Sequence, residues 1–169
     1  LERALVSYWR QKNVRSVLHA LDHAQALDDG ILALFSAWLS PQRFEPGLDL
    51  AMRDWARRSE PVSQAVNEAD EQCMDVIAAF YERNGFEQID ARARARTVYT
   101  CQIGYYVVTG LDEPMATRLQ YLETLYFIMT GQTLDPAKAD RFRAEHISSH
   151  NARGAFTCRT TIKRSCAPT

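Results

Sequence analysis

Residues 60–85 read EPVSQAVNEADEQCMDVIAAFYERNG, and this stretch decides the fold class. Val62, Ala65, Val66, Ala69, Cys73, Val76, Ile77 and Phe80 recur at the three- and four-residue spacing of one helix face. Pro61 suits a first helical turn, where its missing N–H has no intrahelical partner to lose. Asn84-Gly85 supplies the kind of residue that ends a helix in a left-handed conformation. The pattern predicts a long amphipathic helix that must bury its stripe against other elements.

Outward from this helix, the neighbouring segments carry the same signals. The chain opens in mid-pattern, because Leu1, Ala4, Leu5, Tyr8 and Trp9 are already at helical spacing with no initiator Met or N-capping residue before them. This first helix is expected to run to about Leu27. Its stripe changes face after Lys12-Asn13: Leu1, Leu5 and Tyr8 lie on one side, and Val14, Val17, Leu18 and Leu21 lie nearly opposite. With no Pro or Gly available for a kink, a straight helix touching two different partners is the favoured reading.

Asp28-Asp29 can cap a second helix carrying Ile31, Leu34, Phe35 and Trp38, which Ser40-Pro41 stops. A loop rich in Pro and Gly leads to a short third helix with Leu48, Met52 and Trp55. Beyond the opening stretch, a fifth helix runs from near Asp90 to Gly110. A sixth opens at Asp112-Glu113-Pro114 and closes at Gly131. No segment shows sustained period-two alternation with turn chemistry, so strands are not expected. The expected fold is all-α, a bundle of about six main helices.

Composition narrows the function classes. At 169 residues and 46% hydrophobic, the chain can bury one substantial core. A net charge of −1 carries no general basic stripe of a nucleic-acid binder. The apolar runs are too short for a transmembrane helix, no signal peptide is read at the start, and no membrane partner is expected. Four scattered cysteines (Cys73, Cys101, Cys158, Cys166) do not form a disulfide framework, and a reducing cytoplasm fits them best. Residues 1–142 are read as one domain. Residues 143–169 change character and carry five basic side chains against Glu145 alone; they are expected to form a basic, mobile tail.

The last two helices point to a second copy of the chain. Met115, Leu119, Leu122, Tyr126 and Met129 form a heptad-type seam, and Tyr121, Leu125 and Ile128 make a second stripe. The fifth helix is similarly broad, with Val98, Tyr99, Ile103, Tyr106 and Val107, and Gly104 leaves room for close approach. A helix apolar over that much of its circumference is buried on more than one side. An isologous four-helix bundle built from two such hairpins would close with two-fold symmetry, with Ile103, Gly104, Val107, Leu119, Leu122, Tyr126 and Met129 at the dimer interface. The alternative is that both helices are the core of a monomer.

Several short motifs in order resemble the C-terminal domain of TetR/AcrR-type transcriptional regulators. They are Arg53-Asp54-Trp55-Ala56, Glu60-Pro61-Val62, Asp70, the helix ending in Asn84-Gly85-Phe86, and the Ala-Arg repeats leading to Val98-Tyr99. The opening LERALVSYWRQ looks like the helix that follows the DNA-binding domain in that family. The resemblance covers about residues 1–131 and fades from Asp135. It implies an effector-binding and dimerisation domain whose three-helix helix-turn-helix reader is missing from this chain, so operator DNA would be reached only through that absent domain. In the family, a ligand in the core shifts the first helix and changes the spacing of the paired readers. The face switch in residues 1–21 suits such a lever.

The candidate effector pocket is the apolar interior of the first five helices. Trp38, Met52, Trp55, Met74, Phe80, Tyr99 and Tyr106 are its large or adaptable lining candidates, and Thr100 and Gln102 its polar ones. Plain core is the commoner role for such side chains, and Trp55 in particular reads as packing. The expected ligand is small and apolar or aromatic. His19 and His23 lie one turn apart around Asp22, but no third ligand is near. In the tail, His146, His150, Cys158 and Cys166 match no zinc-finger spacing. No metal or cofactor is assigned. The chain carries no Gly-x-Ser-x-Gly elbow, phosphate-cradling Gly loop or His-Glu-x-x-His, so no catalytic residue is named and no enzyme is expected. The reading from a different class is a helical homodimeric interaction module with no ligand and no DNA binding.

Overall fold

The computed structural model describes residues 2–109 and 113–148. It is 82% helical, with no strand among the described residues, as the periodicity predicts. In chain order, α1 (Glu2–Trp9) leads through a π-helical turn (Arg10–Val14) into α2 (Arg15–Asp22). Then follow α3 (Leu27–Leu39), α4 (Pro46–Ala56), α5 (Glu60–Arg83), α6 (Gln88–Thr109), α7 (Met115–Leu119), α8 (Leu122–Thr130) and α9 (136–148). No described helix is long and apolar enough to cross a membrane.

The centre is the α5–α6 hairpin. Val62, Val66, Ala69, Cys73, Ile77 and Phe80 of α5 are buried, and each of the larger ones contributes about 1.5–3 kcal/mol before the entropy of ordering it is counted. The hairpin turn is dictated locally. Gly85 adopts φ +91°, its N–H reaches the Glu82 carbonyl at 3.0 Å, and Phe86 N–H reaches the Tyr81 carbonyl at 3.2 Å. That pair of bonds is a Schellman motif, and the accompanying contact is Tyr81 against Phe86, ring centroids 5.2 Å apart. On α6 the small residues Ala91 and Ala95 face inward and let the two helices approach. Arg94 lies over the Phe86 ring and donates to the Met129 carbonyl at 2.9 Å, tying α6 to the end of α8.

Helix α3 crosses α5 at Gly30. A Cβ built there would stand 2.1 Å from Cζ of Phe80, so the crossing requires glycine for space rather than for backbone freedom.

The sequence expectations need correction at the first helix, at the sixth helix and at the start of the tail. The first helix is not uniformly α-helical: a π-helical turn at Arg10–Val14 interrupts it and shifts its face without Pro or Gly. Its cause is in the sequence at Asn13, which is buried and holds the Glu45 backbone at both ends, Nδ2 to the carbonyl at 2.9 Å and Oδ1 from the N–H at 3.0 Å. The helix also stops at Asp22 rather than Leu27, and Arg83 donates to the Leu21 carbonyl at 2.6 Å. The sixth helix is two, because the chain turns at Gln120–Tyr121 between α7 and α8. Finally, residues 143–148, expected to open a tail, continue α9. Leu134, Ala139 and Phe142 bury themselves there, Lys138 pairs with Asp28 (2.6 Å) and Asp29 (3.2 Å), Arg143 pairs with Glu123, and His146 Nε2 meets Ser36 Oγ at 3.2 Å. The rest of the expected tail, 149–169, lies outside the described residues.

Candidate functional site

The second half of α6 presents Cys101, Gln102, Tyr105 and Thr109 along one side. Facing them are Phe35, Trp38 and Leu39 of α3, and Leu119, Leu122, Leu125 and Met129 of α7 and α8. Between them is a partly enclosed cavity of about 310 Å³, near the lower end of the range for small-molecule sites. Arg118, Glu113 and Tyr121 complete its lining.

The polar groups of this wall are held unevenly. Tyr106 is locked: its buried hydroxyl donates to the Trp38 carbonyl at 2.8 Å, and Phe44 stacks on its ring at 5.7 Å. Burial pushes the Tyr106 hydroxyl above its ordinary pKa, while Arg118 and the Gln102 side chain work the other way. Arg118 lies 5.3 Å above the Tyr105 ring and 5.7 Å above that of Tyr106, with one N–H 3.4 Å from the Tyr106 hydroxyl. No carboxylate among the described residues forms an ion pair with it. The Tyr105 hydroxyl is buried without a hydrogen-bond partner, and Gln102 Nε2 is buried with none at normal geometry, its amide approaching only the Tyr106 hydroxyl. A buried polar atom left unpaired costs about 1–3 kcal/mol, so two in one cavity wall need a reason.

A second polar cluster joins α4, α5 and α6. Arg53 clasps Asp70 through two bonds of 2.8 Å and reaches Asp49 with Nε, also at 2.8 Å. Asp49 in turn accepts from the Trp9 indole at 2.8 Å, and Asp70 from the Tyr99 hydroxyl at 2.8 Å. Burial opposes the Arg53 charge, but the two carboxylates outweigh it and hold the guanidinium above its ordinary pKa. Burial likewise raises Tyr99, and it pushes the Cys73 thiol up to about 12. Two features that carried the family resemblance, Arg53 and Asp70, therefore meet in space.

Of the lining candidates read from sequence, Trp38 and Gln102 border the cavity and Tyr106 stands behind its wall. Met52, Phe80 and Tyr99 are buried core, and Trp55 and Met74 pack against that core. The cavity brings none of these five together. Thr100 is turned away, its hydroxyl donating to the Arg96 carbonyl at 2.7 Å on an exposed face.

The interface candidates also move. Leu119, Leu122 and Met129 line the cavity, and Tyr126 is buried in the same chain. Ile103 and Gly104 are half-buried, and Val107 is exposed. In this region Val107, Val108, Phe127 and Ile128 are more than half exposed, and so is Tyr121, which sits at the cavity's edge. The break between α7 and α8 turns the heptad seam inward and leaves part of the second stripe outside. Sequence reading missed Phe35, Leu39, Tyr105, Arg118 and Leu125 as lining residues. Arg118 was the available signal, a lone cation set among Met115, Leu119 and Leu122.

A larger open groove of about 640 Å³ runs along α1 and the start of α5, rimmed by Glu2, Arg3, Arg10 and Arg15. Its shallow, charged rim makes it the poorer ligand site despite its volume. His19 bonds Asp22 at 2.8 Å and accepts from Arg15 at 2.8 Å. No cluster of three or more His, Cys, Asp or Glu with metal-binding geometry occurs among the described residues.

Comparison of the chain with protein-family models, with curated proteins and with solved structures returns no match.

Proposed function

We propose that this chain is the effector-binding and dimerisation part of a TetR-type transcriptional regulator. In the proposed mechanism a small, largely apolar molecule enters the cavity between α3, α6 and α7–α8. The observation that carries this reading is the cavity wall, which is aromatic and aliphatic but holds two buried, unpaired polar groups, Gln102 Nε2 and the Tyr105 hydroxyl. The order of the motifs along residues 1–131 supports the family. Operator DNA would be read by a helix-turn-helix domain outside this sequence. Regulation would be a population shift, the ligand preferring one placement of α1 relative to the α5–α6 hairpin.

A thermal-shift screen of apolar and aromatic compounds against the full chain tests the cavity. A compound at about a hundred times its Kd stabilises by about 2.7 kcal/mol, which raises Tm by roughly 5–10 °C for a chain of this size. If no compound shifts the transition, the reading fails. The lever is tested separately, by the distance between spin labels on α1 and α6 with and without a bound compound. An unchanged distance would sink that step.

One observation favours the second reading, a helical homodimeric module without a ligand. Val107 and Val108 stay exposed on α6 and Phe127 and Ile128 on α8, and exposed apolar side chains mark an interaction site where they adjoin in one patch. Concentration-dependent mass in light scattering, together with an empty thermal-shift screen, would bring this reading forward.

A further inference from the structure

Resting on the cavity as a ligand site, we propose that its occupant carries a carboxylate on an apolar body, and that Arg118 is the residue that anchors it.

Arg118 offers only N–H donors, in a planar fork suited to a carboxylate. The unpaired Gln102 atom is the amide nitrogen, again a donor. The Tyr105 hydroxyl, also unpaired, can donate as well. Arg118 spans the rings of Tyr105 and Tyr106, so the cation and the Tyr105 ring belong to one end of the cavity. Its single bond within the wall, to the Tyr106 hydroxyl, is long at 3.4 Å, and that hydroxyl already donates to Trp38. Phe35, Leu122, Leu125 and Met129 supply the apolar remainder. An acceptor-rich anionic head with a hydrocarbon or aryl body satisfies both halves. A neutral hydrocarbon would leave the unpaired donors as they are, and an amine would face Arg118.

Glu113 is the one carboxylate among the described lining residues, and its charge opposes an anion. It therefore serves as the internal control. Straight-chain and aryl acids share the chemistry, and the volume admits either.

The test is calorimetric titration of the full chain with octanoate, octanol, octylamine, phenylbutyrate and phenylbutanol. Each acid is expected to bind about ten- to a hundredfold more tightly than its alcohol, as befits hydrogen bonds to a charged group. Octylamine is expected to bind weakest of the octyl series. The relative affinities of octanoate and phenylbutyrate report whether the body is an alkyl chain or an aryl group. In Arg118→Gln the preference for the acid should vanish while octanol binding persists. In Glu113→Gln it should persist or grow. Tyr105→Phe, which keeps the ring, should lower acid affinity several-fold and leave octanol unchanged, and it gives the answer even if Arg118→Gln does not fold.

An alcohol or amine that binds as tightly as the acid, or acid affinity unmoved in both Arg118→Gln and Tyr105→Phe, overturns the inference while leaving the cavity as a ligand site. If no compound binds at all, the cavity reading falls and the carboxylate with it.

Discussion

Replacing Arg53 with Met removes the cation that sits between Asp49 and Asp70. The three side chains are 20%, 7% and 21% exposed, so the two carboxylates left behind are largely shielded from water. Breaking a buried ion pair from one side costs about 3–5 kcal/mol, because an uncompensated charge stays in place. Two features hold the loss near the lower end of that range. The Trp9 indole and the Tyr99 hydroxyl still donate to the carboxylates, and Met fills much of the vacated volume. A loss of about 3 kcal/mol is large against the 5–15 kcal/mol typical of a folded domain. With an m-value of about 2 kcal/mol/M in urea, the unfolding midpoint should fall by about 1.5 M. Adding Asp70→Asn to the Arg53→Met chain removes one stranded charge and should recover part of that loss. Equilibrium urea unfolding, followed by helical circular dichroism, measures both. An Arg53→Met chain within about 1 kcal/mol of the parent would refute the reasoning, since the carboxylates would then be adequately solvated. So would a double variant weaker by the sum of the two single losses.

Three further outcomes are expected. Gly30→Ala places a Cβ 2.1 Å from Phe80 Cζ, and that ring is fully buried with Arg83 lying over it, so overpacking should cost about 1–3 kcal/mol and lower Tm in a calorimetric scan. The hydrogen bond from Arg143 holds Glu123 below its ordinary carboxyl pKa of 4.5. The stability it contributes is therefore present above that value and lost as pH falls through the folded pKa, and Glu123→Gln should flatten this part of the pH profile of α9 hydrogen exchange. Cys73 is buried with its thiol pushed up to about 12, whereas Cys101 is exposed at the cavity, so peptide-resolved iodoacetamide labelling should modify Cys101 in the native chain and Cys73 only on unfolding.

Helical periodicity made α3 and α5 readable because each keeps one apolar stripe, closed by local chemistry such as Pro61 or Asn84-Gly85-Phe86, and α6 was readable from its helical spacing although its apolar surface is broad. It failed where one polar side chain outweighs the stripe. Asn13 cannot sit unpaired in the core, and its two bonds to the Glu45 backbone go with the π-helical turn that the spacing shows only as a change of face. It failed again at α7 and α8, where a heptad seam over Met115–Met129 reads as one unbroken helix. The turn at Gln120–Tyr121 folds that seam back toward α3 and α6, so Leu119, Leu122 and Met129 line the cavity of one chain. A cavity is a relation between distant segments. Neither Phe35 nor Arg118 carries a local sign of the other. Arg53 and Asp70 stand out as motif residues, yet nothing in their 17-residue separation announces a bidentate pair.

The two polar systems share α6, and that bears on how a bound ligand would reach α1 under the proposed function. Tyr99 and Gln102 are three residues apart on that helix, so they are neighbours along one side of it. From Tyr99 the contacts run to Asp70, Arg53, Asp49 and the Trp9 indole at the end of α1, each 2.8 Å long. A rotation of α6 that brings Gln102 onto a ligand acceptor therefore displaces the Tyr99 hydroxyl, and Trp9 is at the far end of that chain. Reversing a 1:99 equilibrium takes about 5.5 kcal/mol of differential binding. Satisfying two or three unpaired donors at about 1–3 kcal/mol each is of that order. Tyr99→Phe cuts the chain at one hydroxyl without emptying the core. It should leave acid affinity within about threefold, well under 1 kcal/mol, and abolish the ligand-dependent change in the α1–α6 spin-label distance. An undiminished distance change in Tyr99→Phe would show that α1 responds through packing alone.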